Sequence, residues 1–155
     1  MEKENEYFER WMCHRDVLHD ILDLIGNEYI DYKPWKDAFS LGAMAIHIAV
    51  SSNTFVQSIK DGQFTLPSSS NQFETMDDIR NIVREYTEKT KSTFKILSDS
   101  DLNQQLVFNQ FTASGKMWLN NMIDHEIHHK GQLFTYARLI GIEKLPFFII
   151  QPPKQ

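Results

Sequence analysis

The chain has 155 residues, 41% hydrophobic and 24% charged, with no biased tract, a balance that fits one globular domain spanning residues 1–155 with a continuous core. Its formal charge of −5 comes with scattered lysines and arginines, and nothing clusters to neutralise a run of phosphates. A nucleic-acid partner is therefore not expected.

The N-terminal residues, Met1 to Trp11, are charged where a secretory signal would be apolar. No apolar run approaches the length of a bilayer span, so no membrane partner is expected either. Cys13 stands alone, which excludes an internal disulfide and suits a reducing compartment; the expected location is the cytoplasm. A first helix is predicted over roughly residues 4–26, with Tyr7, Trp11, His14, Leu18, Ile21 and Ile25 as the narrow apolar seam of a bundle helix and Gly26 as its stop. Pro34 falls in the linker that follows. Ser40 caps a second helix over roughly 41–60, whose seam runs through Leu41, Met44, His47 or Ile48, Ser51 and Phe55 to a stop at Asp61-Gly62.

The polar stretch from Gln63 to Gln72, with Pro67 and three serines, predicts a loop able to cross the length of a bundle. Thr75 and Asp78 form a capping box for a third helix over roughly 76–98, with Ile79, Ile82 or Val83, Tyr86, Thr90, Phe94 and Leu97 inward. Residues 100–112 are less regular, and Leu106-Val107-Phe108 can be extended. Ser114 caps a fourth helix over roughly 115–140, ended by Gly141 and Pro146. Its inward stripe is predicted as Trp118, Met122, His125, His129, Gln132, Tyr136 and Ile140. An all-α four-helix bundle with at least one long crossover, between helices 2 and 3, is the economical solution.

Two histidines on that last stripe, His125 and His129, stand four residues apart. A helix places such a pair about 5–6 Å apart at Cβ, close enough to share one ion. A lone inward imidazole is usually satisfied by hydrogen bonds; two adjacent ones both need partners, and a shared cation supplies both. His47, on the second helix, offers the third nitrogen of a divalent metal site with an open position. His128 lies about 100° around the helix from His129 and suits a helix contact or the surface. His14 falls on its own helix's seam, as a core, pocket or fourth-ligand residue, and His19 reads as surface. Residues 125–129 also match H-E-x-x-H, in which the glutamate activates water. Only 26 residues follow His129, with no histidine and one acid, Glu143, so a protease of that type is set aside. Gln132 can support a metal-bound water or an imidazole, and Asn121 is placed similarly. Gly131 leaves room for a close helix approach, within the bundle or across a dimer. Trp11, Trp35 and Trp118 are core or rim residues.

His125-Glu126-Ile127-His128-His129-Lys130-Gly131-Gln132-Leu133, followed by Tyr136, Arg138, Leu139 and Gly141, resembles the DinB-like, damage-inducible family of bacterial four-helix-bundle proteins. Ser40-Leu41 with His47-Ile48, and the early Trp11 and Arg15, also fit. The resemblance implies an up-down-down-up bundle, often a homodimer, and a divalent metal, commonly nickel or zinc, held by His47, His125 and His129. It further implies a small-molecule substrate and, in some relatives, a low-molecular-weight thiol as cosubstrate. A metal-dependent thiol transferase or hydrolase is the leading expectation. Glu126 and His14 are weak candidates for a catalytic acid or base, and Cys13 reads as a packing residue. The alternative is a non-catalytic metal-binding bundle.

Overall fold

A computed structural model describes residues 2–67 and 70–154; Ser68 and Ser69, in the loop expected between helices 2 and 3, lie outside them. Four long helices, α1 (Glu2–Asp23), α2 (Leu41–Asp61), α3 (Met76–Phe94) and α5 (Gly115–Leu139), make the bundle. Between the last two lie a single-turn helix, α4 (Asp99–Asn103), and a hairpin of β1 (Gln105–Phe108) and β2 (Phe111–Ser114). The hairpin is an addition to the helical class expected. Its tight turn uses Asn109 at a φ of 54°, a left-handed conformation that asparagine tolerates better than most residues.

The helix starts lie where short polar side chains can satisfy free N–H groups. Ser40 accepts from the Ala43 amide and Ser114 from that of Met117, and Thr75 and Asp78 form the reciprocal capping box. Gly62, at a φ of 75°, terminates α2 in the left-handed conformation typical of helix ends. Helix α1 stops at Asp23, before Gly26, and a 3-10 turn over Asn27–Tyr29 follows.

Pairs of touching residues fix the direction of each helix. Arg10 meets Asn120 and His14 meets Lys130, so α1 and α5 run parallel. Trp11 stacks on Phe94 while Arg80 reaches Leu22, so α3 opposes α1. Phe55 packs near Trp118 and His47 near His129, so α2 opposes α5. The result is an up-down-down-up bundle. Because α2 and α3 point the same way, residues 62–75 must return the chain along the bundle; a 21-residue helix is about 30 Å long, within reach of such a segment.

The core is split in two. One apolar cluster holds Leu18, Ile21, Leu22, Leu41, Met44, Ile48, Ile79, Val83 and Leu133; the other holds Trp11, Val56, Ile59, Phe94, Leu102, Leu106, Trp118, Leu119 and Met122. Between them lies a buried polar layer to which each long helix contributes: Arg15, Ser52, Thr87 and Glu126. The predicted seams need adjustment here. In the second half of the α2 seam Ser52 and Val56 are buried in place of Ser51 and Phe55, which are half-buried at the edge. On α5 the deepest stripe is Leu119, Ile123, Glu126, Lys130, Leu133 and Ala137, so His125, His129 and Gln132 flank the core instead of filling it. That offset leaves them half-exposed, facing α2.

Candidate metal centre

His125 and His129 project from consecutive turns of α5 toward α2, which presents His47 in return. Nε2 of His47 lies 3.1 Å from Nε2 of His125. One potential ligand atom from each of His47, His125 and His129 lies within 4.8 Å of the other two. The ring centroids are 4.9 Å apart for His47 with either partner and 4.4 Å apart within the α5 pair. All three residues expected to converge do so, and all three are half-buried.

The surroundings of His125 and His47 favour neutral rings carrying lone pairs. Burial, then the neighbouring His129 and His47, lowers the pKa of His125 to about 4, and burial together with His129 lowers that of His47. Nδ1 of His129 lies 2.6 Å from Oε1 of Gln132. A proton on that Nδ1 donates to the amide oxygen and leaves Nε2 with its lone pair, as a metal ligand requires. Nδ1 of His125 is buried without a hydrogen-bond partner among the described residues. The donor set is thus three imidazoles, one held in its tautomer by a glutamine. That set fits a divalent transition ion.

Aromatic rings border the group. Phe39, in the loop before α2, stacks on His47 with centroids 4.9 Å apart and planes 20° from parallel. It also presents an edge-to-face contact to His129 at 6.4 Å. The Tyr136 hydroxyl donates to the Phe39 carbonyl at 3.1 Å, so the same helix that carries two of the histidines fixes this loop. Trp35, on the same loop, is 59% exposed, whereas Trp11 and Trp118 lie in the core.

The two acid–base candidates stand elsewhere. Glu126 does not join the ligand group. Its Oε1 accepts from Arg15 Nε at 2.7 Å, and its Oε2 accepts from Arg15 Nη2 at 2.8 Å, Trp11 Nε1 at 2.7 Å and the Ser52 hydroxyl at 2.9 Å. Burial pushes its carboxyl upward, but the Arg15 guanidinium and these donors outweigh that and hold it below the usual carboxylate range. His14 is buried with Nδ1 2.8 Å from Nζ of Lys130. Burial first, then Lys130, lowers its pKa to about 4, so the neutral ring accepts from the ammonium. Lys130, itself buried and lowered to about 8 by desolvation, also donates to the Phe148 carbonyl, pinning the C-terminal segment.

The remaining polar candidates divide plainly. His128 is exposed with its ring against His129, and Asn121 is exposed. His19, expected at the surface, is instead half-buried with Nε2 3.1 Å from the Thr87 hydroxyl. Cys13 is half-buried and its carbonyl accepts from the Ile150 amide. Among the described residues, no atom beyond Gly131's own stretch of helix backbone lies within 4 Å of a Cβ built there, so no other described helix makes the close approach expected at that position. A groove of about 510 Å³ between α2 and α3, lined by residues such as Gln57, Glu85 and Lys89, is separate from the histidines. Among the described residues no helix is long and apolar enough to cross a membrane.

Arg15, Glu126 and Lys130 are the buried charged side chains whose burial the sequence reading did not anticipate. Each lies on an apolar stripe, Arg15 between Trp11 and Leu18, Glu126 and Lys130 between Ile123 and Leu133. Opposite charges on two such stripes are the signal that could have found the ion pair.

Comparison with known proteins agrees with this architecture. The family model described as "DinB family" matches residues 1–151. The uncharacterized protein YjoA of Bacillus subtilis (strain 168) is 30% identical over 149 residues, covering 94% of this chain and 96% of its own length. The crystal structure of that DinB-like protein superposes with a TM-score of 0.84 at 27% identity, covering 94% of this chain and 99% of the other. A DinB-like protein from Bacillus cereus ATCC 10987 shares the fold, with a TM-score of 0.76 at 19% identity over 90% of this chain and 93% of its own. With its family model matched along nearly all its length and a relative of this identity covered almost end to end, the chain belongs to the DinB family.

Proposed function

We propose that His47, His125 and His129 hold a divalent metal ion, nickel or zinc. On this reading the site transfers a low-molecular-weight thiol to an electrophilic small molecule, or hydrolyses such a molecule. The observation that carries it is the 3.1 Å approach of the His47 and His125 Nε2 atoms, together with one potential ligand nitrogen from each of the three rings within 4.8 Å of the other two. Metal–nitrogen bonds of about 2.0–2.1 Å in a tetrahedral site put neighbouring nitrogens about 3.3 Å apart. Three neutral imidazoles leave the full charge of an ion uncompensated and one position exchangeable. When bound, such an ion supplies Lewis acidity that favours thiolate over thiol, or hydroxide over water, near neutral pH.

The chain's own residues then have distinct parts. His47 and His125 stay unprotonated through burial. Gln132 sets the tautomer of His129. Glu126 and His14, whose lone pairs serve Arg15 and Lys130, hold helices together and are not assigned to proton transfer. A small-molecule substrate, a homodimer and a cytoplasmic location belong to the same reading.

A thiol-consumption assay with a panel of electrophiles tests it. Activity should require the metal, disappear on chelation, return on re-addition of nickel or zinc, and be absent in His129→Ala. An ion that only clamps α2 to α5 predicts a different result: chelation lowers thermal stability while no electrophile in the panel consumes thiol.

A further inference from the structure

Phe39 is a large apolar residue left 46% exposed beside the histidine group. One face of its ring is spent on His47, 4.9 Å away and nearly parallel, while its edge-to-face relation to His129 puts it along the rim of the same group. The loop that carries it is anchored at several points. Its own carbonyl accepts from Tyr136, whose hydroxyl is borne by a ring packed edge-on against Tyr32. Ala38 is buried, with its amide donating to the Trp35 carbonyl, and the Leu41 amide donates to the Tyr32 carbonyl. Ser40, the next residue, caps α2. The ring is thus held, partly exposed, beside the imidazoles.

We propose that Phe39 is a specificity-determining residue of the histidine site, its exposed surface receiving the aromatic portion of the ligand that reaches the three imidazoles. The inference rests on the metal-site reading above. Aromatic pairs prefer offset-stacked or edge-to-face packing and gain from it beyond the area they bury. The site should therefore favour a planar ring over a saturated ring of the same size. A saturated carbocycle offers comparable apolar area but no π-face.

The test uses cobalt-loaded protein and two probe thiols, benzyl mercaptan and cyclohexylmethanethiol, titrated calorimetrically, with the metal-free protein as a control. Wild type is expected to bind the benzyl compound about 2- to 10-fold more tightly than its saturated counterpart. In Phe39→Leu, with one cobalt still bound per chain, that ratio should fall about 2- to 10-fold from its wild-type value, because the two thiols' own difference in acidity is common to both proteins. A Phe39 that merely steadies the His47 ring would shift cobalt affinity, or the affinity of both thiols together, and leave their ratio unchanged; that result overturns the inference. Equal binding of the two thiols by wild type overturns it as well, while the metal reading survives. Failure of the wild-type protein to bind cobalt overturns the metal reading and this inference with it.

Discussion

The histidines were legible in the sequence because two of them share a helix face at a four-residue spacing and the third lies on another apolar seam. What the spacing does not reveal is the wall around them. Gln132 was recognisable by its position one turn after His129, and it takes the supporting role expected of such a neighbour. Replacing it with alanine should weaken metal binding about tenfold, since supporting hydrogen bonds of this kind are worth 10- to 100-fold; competitive titration with a chromogenic chelator measures this. Phe39 was not legible, because a loop residue eight positions before His47 carries no periodic signal. His19 was misplaced for a related reason: a polar residue off the seam reads as surface, yet the neighbouring α3 covers it at Thr87. Burial, then the Arg15 and Arg84 charges, lowers its pKa to about 4 from 6.5. Between those values the unfolded chain binds a proton that the folded chain excludes, so this group makes stability fall as pH drops from above 6.5 toward 4. The slope it adds is at most about 1.4 kcal/mol per pH unit. Urea denaturation at pH 7 and pH 5 should show a smaller loss for His19→Gln than for wild type. An equal loss would show that the ring titrates alike in both states.

The helices were predictable wherever the signal is local. The caps at Ser40, Thr75 and Ser114 are hydrogen bonds within one turn, so sequence alone places them. Ser114→Ala should cost about 1 kcal/mol by removing one of them. The buried faces were read less well, because a charged residue on a stripe is ordinarily counted as polar and turned outward. Arg15 and Glu126 are both fully buried, and the pair ties α1 to α5 while Ser52 and Thr87 bring in α2 and α3. Taking either partner away strands a charge in the core. Arg15→Met alone should therefore destabilise by about 3–5 kcal/mol, and Glu126→Leu by a similar amount. The double variant should recover much of that loss, since an apolar pair of similar volume often replaces a buried ion pair without net cost. Chemical denaturation of the three variants checks this, and strict additivity would contradict it. The offset of α5 by one residue, about 100° around the helix, follows from the same layer: with Glu126 at the centre of the bundle, His125 and His129 are rotated toward α2.

For the bundle taken together, the helix count and the return of the chain between α2 and α3 were readable from caps and a long polar stretch. The α4 turn and the β1–β2 hairpin were only partly so. Four-residue strands offer little alternation to read, and Leu106 is held by a distant partner, Trp118, whose indole donates to its carbonyl at 3.1 Å. The histidine group lies across the α2–α5 interface beside the polar layer, so a ligand bound there joins two helices. A metal that binds only the folded chain should stabilise it by about 2.7 kcal/mol at a free concentration 100 times its Kd. The melting temperature should accordingly rise with nickel or zinc in wild type and stay unchanged in His47→Ala. The convergence of three imidazoles is tested most directly by elemental analysis of protein purified without a histidine tag, alongside its His47→Ala, His125→Ala and His129→Ala variants. The account predicts one divalent ion per wild-type chain and little or none in each folded variant. Equal metal content in all four proteins, or none in wild type after incubation with nickel or zinc, would contradict it.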